Sequence, residues 1–424
     1  MIRFLIKGLI RDRSRSLFPV LIVGAGVFLT VSLYSTMKGA IGDMVDSSAR
    51  FDTGHLKIMT RAYKELSDQM PNDLALLEID GFMKKLKEDY PGMIWVPRIK
   101  FGGLLDIPDV EGVTRAQSPV FGLGIDLLDR QSPETRILRL REAIVEGRLP
   151  EEANEILISK SFAEKLRVSI GETATLISST MNGSISVRNF KVSGTVRFGM
   201  TALDRSTIIA DIRDIRAALD MPDGASEILG FRKDMIYSAD AVKGIALHLN
   251  REYSNEEDEF SPIVLTLGEQ GGLKDILDMA NAIGNIIVFV FIIAMSIVLW
   301  NTGLMNGIRR YGEIGIRLAM GEPKGGLYRS MILESICVGI AGSIIGTLFG
   351  LAVSYWMQYV GFDIGSMMQK ATILMPTVFR AKVTATSYYI GFFPGLFASL
   401  IGTMFAGIGI YRRQTSQLFR ELEV

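Results

Sequence analysis

Apolar residues gather in four long runs without a charged side chain, at residues 17–37, 282–305, 335–362 and 383–411. A helix needs roughly 18 to 20 residues to cross about 30 Å of hydrocarbon at about 1.5 Å per residue, so the pattern predicts four transmembrane helices. The last two runs are longer than a bilayer requires, which implies tilt, a kink or an apolar end outside the hydrocarbon. Pro394 is the expected kink site in the fourth.

Between the first and second runs the pattern changes to short alternating or helically spaced segments. Strands are expected at 155–158, 173–177, 189–196, 206–210 and 244–249. Helices are expected at 74–87, at 159–166 with Ser159 as N-cap, and at 211–219 after an Asp cap. Such a mixture describes an α+β or α/β module large enough to bury its own core. Residues 252–259 read as an exposed loop, and 274–284 as a helical stalk that extends the second span outward. The expected fold class is an α-helical membrane protein with four transmembrane helices plus an α+β extracytoplasmic domain.

Charge orients this arrangement. Lys and Arg balance Asp and Glu at 46 each, so no bulk attraction to nucleic acid is expected. The segments before the first span, between the second and third, and after the fourth together hold thirteen basic residues against six acidic ones. Residues 38–281 hold 39 acidic against 30 basic. The positive-inside rule therefore places the short segments, and both termini, in the cytoplasm. The expected organisation is a cytoplasmic N-terminus (1–16), a first span (17–37), an extracytoplasmic domain with stalk (38–281) and a second span (282–305). A cytoplasmic coupling segment (306–334), a third span (335–362), an outer loop (363–382), a fourth span (383–411) and a cytoplasmic tail (412–424) follow. The first run is long for a signal peptide and lacks a clear small-x-small cleavage site, so it is expected to be an uncleaved anchor.

The usual signs of chemistry are absent. No G-x-x-x-x-G-K-[ST] loop occurs, so ATP hydrolysis is assigned to another chain and this one is read as a non-enzyme. Of the two histidines, His55 is expected to make a structural hydrogen bond and His248 to be a surface or strand residue; no metal site is expected. The single cysteine, Cys337, excludes an intrachain disulfide. Glu334, at the inner end of the third span, is expected to snorkel or to pair with Arg329. Gly339, Gly342, Gly346 and Gly350 form a ridge on that span that suits helix packing, with a substrate path as the alternative.

The coupling segment carries the run RYGEIGIRLAMG at residues 310–321, an amphipathic stretch ahead of a Gly-rich span. It resembles the FtsX/MacB superfamily of ABC transporter permeases. The pieces EGRLP at 146–150 and NEILI at 154–158 are similar to the family's MacB-like periplasmic domain. The pieces TGHL at 53–56 and VSGT at 192–195 look most like the lipoprotein-releasing LolC/LolE branch. The fused ATPase of MacB is missing from the chain, and the outer domain is larger than that of FtsX.

The resemblance implies a cytoplasmic ABC ATPase dimer as partner, which binds the ATP and Mg; no cofactor is expected in this chain. It points to Arg309, Arg310, Glu313, Ile314, Gly315, Arg317 and Gly321 as ATPase-coupling residues; alternatively, Glu313 and Arg317 only solvate an interfacial helix. It further implies a bacterial inner membrane location and a second permease subunit, either the same chain or a paralogue. The first span and the stalk of the second would line a cavity for a lipoprotein, lipid or hydrophobic substrate moved by mechanotransmission. A periplasmic carrier stays an open option. The competing expectation is an FtsX-like transducer that activates an envelope partner, and a third is a receptor with no ATPase.

Overall fold

The computed structural model describes residues 13–109, 111–270, 273–309, 316–317, 319–363 and 378–412. It divides into two compact units, one formed by Met1–Gly42, Leu277–Phe362 and Phe379–Val424, the other by Asp43–Ile276 and Asp363–Val378.

Helix α1 (Arg13–Ser48) passes without a break from the first unit into the second and ends in a π-helical turn, Ala49–Thr53. Gly54 follows at φ +61°, where an added Cβ would crowd the carbonyl of Leu56, so only glycine fits this exit. The second unit then contains β1 (Leu56–Thr60), α2 (Ile79–Asp89), β2 (Met93–Pro108), β3 (Thr114–Ile125), β4 (Ile144–Gly147), β5 (Glu155–Ser159) and α3 (Lys160–Leu166). It continues through β6 (Thr173–Ser179), β7 (Ile185–Val196), β8 (Thr207–Asp211), α4 (Ile212–Leu219), β9 (Glu227–Arg232), α5 (Ala239–Tyr253) and β10 (Pro262–Thr266).

These elements form two subdomains that share one strand. An antiparallel sheet in the order β10-β1-β9-β2 buries one face against α2 and α5, with Ile58, Met83, Trp95, Ile228, Val242 and Leu249 in the core. Read along the chain, that is β-α-β-β-α-β, the ferredoxin-like split arrangement. Its second and third strands are separated by residues 109–226, which build the other subdomain. Strand β2 runs on past the sheet, and the circuit β2-β3-β8-β5-β7-β6 closes back on β2. The result is a six-stranded barrel filled by Phe101, Leu105, Ile158, Phe190 and Ile208, with α3 and α4 packed against it. Each of those six strands is paired on both sides over part of its length.

The sheet has a free edge at β10, and it is blunted residue by residue. Pro262 has no N–H to offer. The Asn250 side chain donates to the carbonyl of Val264 and accepts from its N–H, both at 2.8 Å. Glu269 accepts from the Thr266 N–H at 2.8 Å. An edge satisfied in this way does not template a further strand.

Residues 244–249, expected as a strand, lie inside α5, where Val242, Ala246 and Leu249 recur at helical spacing and face the core. His248 is accordingly an exposed helix residue, its Nδ1 2.7 Å from the Tyr90 hydroxyl. The helix expected at 74–87 begins at Ile79, after a 3-10 turn at Asn72–Leu74. The exposed loop expected from residue 252 begins only after Tyr253, where α5 ends.

The first unit holds the rest of α1 with α6 (Leu273–Arg309, whose first residues lie in the second unit), α7 (Lys324–Val360) and α8 (Phe392–Arg412). Among the described residues, three helical stretches are long and apolar enough to cross a membrane: Leu17–Thr53, Lys324–Val360 and Ala385–Phe405. The apolar stretch Ala282–Val298, within α6, is shorter. Pro394 sits in the first turn of α8, where a missing N–H costs nothing, so it marks a helix start and not a kink. Tyr355, Trp356 and Tyr359 are exposed near the end of α7, and the Tyr355 hydroxyl lies 2.7 Å from that of Tyr388. Such amphipathic rings suit a membrane–water interface.

Candidate functional site

In the membrane unit the ridge residues of α7 face α1. A Cβ on Gly342 would come within 2.7 Å of Val23 Cβ, and one on Gly350 within 2.9 Å of Val31 Cβ. One on Gly346 would overlap the Gly24 carbonyl, so the two backbones touch. Gly339 looks the other way, toward Leu396 and Ser399 of α8. Val23, Val27 and Val31, one turn apart on α1, are fully buried as a result. Farther along α1, the Lys382 N–H donates to the Ser35 carbonyl at 2.9 Å, and the Arg380 carbonyl occupies the place a side chain at Gly39 would need. The chain entering α8 is thus strapped across α1 at a glycine.

A pocket of about 310 Å³ opens between α1 and α6, lined by Thr30, Leu33, Tyr34, Thr36, Met37 and Ala40 on one side and Gly284, Ile287, Val288 and Phe291 on the other. Its walls are carbon and hydroxyl, with no charged group. Outside it, α6 exposes Ile286, Phe289 and Ile297, an apolar face of the kind lipid or another helix covers.

Of the expected coupling residues, Arg310, Glu313, Ile314 and Gly315 lie outside the described residues. Arg309 ends α6. Arg317 is half-buried, and its carbonyl accepts the Glu322 N–H at 3.0 Å across the turn in which Gly321 adopts φ +92°. Pro323 then caps α7. Glu334 is half-buried within α7.

The densest polar chemistry lies in the second unit, where α1 enters it. The π-turn is held by six neighbours. Arg98, fully buried, donates to the Arg50 carbonyl at 2.6 Å and forms a bidentate pair with buried Glu134, both contacts 2.8 Å. Arg50 itself donates to the Ile137 carbonyl at 2.7 Å, and the Phe51 ring stands edge-on to Phe198 at 5.6 Å. Asp52 pairs with Lys57 at 3.2 Å and with Lys100. The same two ammoniums meet buried Glu227 at 3.0 and 3.1 Å. Gln270 donates to the Thr53 carbonyl at 3.2 Å. Burial alone would raise the Asp52 carboxyl, but Lys100 and Lys57 override it and hold the group well below the usual carboxylate range. Lys100, desolvated yet flanked by two carboxylates, is pushed up, so both stay charged.

His55, next along, accepts the Arg232 N–H on Nδ1 at 3.1 Å; burial and the Arg232 charge lower it to about 4. It is neutral at physiological pH and structural. Among the described residues no group of His, Cys, Asp and Glu could hold a metal ion. The sequence reading missed the charge cluster. Its only trace is a pattern of charge inside buried strands: Lys57 within the fully buried β1, and Arg98 and Lys100 on either side of Ile99 in β2.

Residues 285–415 match the model of the FtsX-like permease C-terminal family. The chain is 22% identical over 227 residues to the lipoprotein-releasing system transmembrane protein LolC of Xylella fastidiosa, 52% of each chain. It is 20% identical over 384 residues to the macrolide export ATP-binding/permease protein MacB of Neisseria gonorrhoeae, 88% of this chain and 55% of that one. The chain thus spans about half the length of the relatives it matches. The crystal structure of the periplasmic region of MacB from Actinobacillus actinomycetemcomitans superposes with TM-score 0.36 and 12% identity, over 53% of this chain and 94% of that one. On its sequence relatives, this chain is similar to membrane permeases of the FtsX/MacB superfamily, with a LolC-like match at low identity.

Proposed function

We propose that this permease is the transmembrane subunit of an ABC system that moves a lipid-anchored or otherwise hydrophobic substrate, driven by a separate cytoplasmic ATPase dimer. In this reading α6 completes a set of four spans, both termini are cytoplasmic, and the second unit stands outside the cytoplasm. A second permease subunit, the same chain or a paralogue, supplies the other half of the cavity. The supporting observation is the uncharged pocket between α1 and α6. An alkyl chain can enter it without desolvating a charge, and apolar walls of this kind suit a hydrophobic ligand. The coupling residues, Arg309 to Gly321, are proposed to meet the ATPase, so that its closure moves α1 and α6 and, through them, the outer domain.

The test is purification in nanodiscs together with any ABC ATPase that associates with the chain. Leu33→Trp and Ile287→Trp should fill the pocket and abolish substrate release while the ATPase still co-purifies. Glu313→Ala with Arg317→Ala should uncouple ATP hydrolysis from the permease. Absence of any co-purifying ATPase would return the receptor reading. A second reading, an ATP-driven transducer acting on an envelope partner, is favoured by the firm attachment of α1 to the outer domain. Its mark would be Trp variants that keep full activity.

A further inference from the structure

Gln270 makes neutral hydrogen bonds of 3.2 to 3.4 Å to the carbonyls of Thr53, Leu265 and Thr266, and so ties the π-turn to the end of β10. The root of α1 is wedged between the two subdomains. Lys57 and Glu227 come from the ferredoxin-like sheet, Arg98 and Lys100 from the strand the subdomains share, and Glu134, Ile137 and Phe198 from the barrel side.

Six charged side chains are involved, and five of them, all but Asp52, keep 12% or less of their side-chain area exposed. Buried ion pairs of this kind add little net stability over apolar residues of the same volume, because desolvation cancels most of the attraction. What they do supply is geometry, since each group has few positions in which it is satisfied. A π-helical turn is a local irregularity that needs such outside support, and such turns concentrate at functional positions.

We propose that the cluster of Asp52, Lys57, Lys100 and Glu227, with Arg98 on the Arg50 carbonyl, is a rigid three-way joint. It fixes the π-turn so that the end of α1 within this unit, the sheet and the barrel turn as one body. The joint itself is independent of the transporter reading; its use to carry ATPase-driven motion to the outer domain rests on that reading. The residues named act as positioning residues, through the turn they hold.

The experiment is hydrogen exchange on the full-length protein in nanodiscs, comparing wild type with Lys100→Met and Asp52→Asn. Asp52 keeps 40% of its side-chain area exposed and so tolerates an isosteric change; it decides the matter if Lys100→Met does not fold. The expected result is at least tenfold faster exchange confined to residues 45–56, with α4, α5 and β8 unchanged. Unchanged exchange at 45–56 overturns the joint, and so does a uniform rise across the unit, which would make the cluster a general stabiliser. With the ATPase present, Asp52→Asn should keep ATP hydrolysis and lose substrate release. If no ATPase co-purifies, the transporter reading fails while the exchange result still stands or falls alone.

Discussion

Helix α1 is secured at two places by opposite chemistry. In the membrane unit it lies against α7 with Gly342, Gly346 and Gly350 facing Val23, Gly24 and Val31, and no charge takes part. At its far end, a cluster of six charged side chains, Asp52 of the turn among them, holds a single turn. The contrast follows from the solvent. Apolar side chains gain nothing by leaving lipid for one another, so helices in lipid associate by close backbone approach, which requires small residues. In a water-facing domain the core is already stabilised by burial of large side chains, and charges inside it specify position. One contact is set by backbone shape, the other by the direction of charged hydrogen bonds.

Substitutions at the two ends should separate these modes. The largest effect is expected from Arg98→Met, which leaves Glu134 buried without its partner and should lower the stability of the outer unit by about 3 to 5 kcal/mol in thermal unfolding. Adding Glu134→Leu should recover most of that loss, which would mark the pair as a specifier of geometry. Gly346→Leu should come next, at about 1 to 3 kcal/mol, because the side chain must displace α1 from contact with the Gly24 backbone. Protease resistance of the membrane unit should fall while the outer unit is unaffected; loss of both together would argue against separate modes. Gln270→Ala should cost about 1 kcal/mol, the loss of ordinary hydrogen bonds, and should speed hydrogen exchange modestly around Thr53 and Thr266.

The smallest change at neutral pH should come from His55. Its folded pKa, about 4, lies below the 6.5 of the unfolded chain, so the unfolded state takes up the proton first. Stability should be level above about pH 6.5 and decline as the pH falls toward 4. His55→Gln should flatten that decline, whereas an unchanged slope would place the acid sensitivity elsewhere.

Much of this was legible in the chain itself. Ser159 and Asp211 cap the helices their positions announce, accepting from the Phe162 and Arg213 N–H groups, because an N-cap is a local device that needs no tertiary partner. Residues 244–249 misled because the run Gly-Ile-Ala-Leu-His-Leu alternates as well as it spirals, and only its place against the sheet, opposite β10, selects the helix. The pocket between α1 and α6 joins residues some 250 positions apart, and no local pattern announces it. The same is true of the joint, whose members lie on four segments between Asp52 and Glu227.

By itself the sequence determined the apolar runs, the charge imbalance across them, the glycine spacing of α7 and the absence of a P-loop. Each is a property of composition or of neighbours within one helix or strand, settled by transfer free energy and backbone sterics. The tertiary structure alone decided that a barrel is inserted into a split sheet, that α1 is strapped at Gly39, and that the charges of β1, β2 and β9 converge on one π-turn. Those depend on which distant segments share a ladder or a core, and side chains meet across that distance only after the backbone has closed.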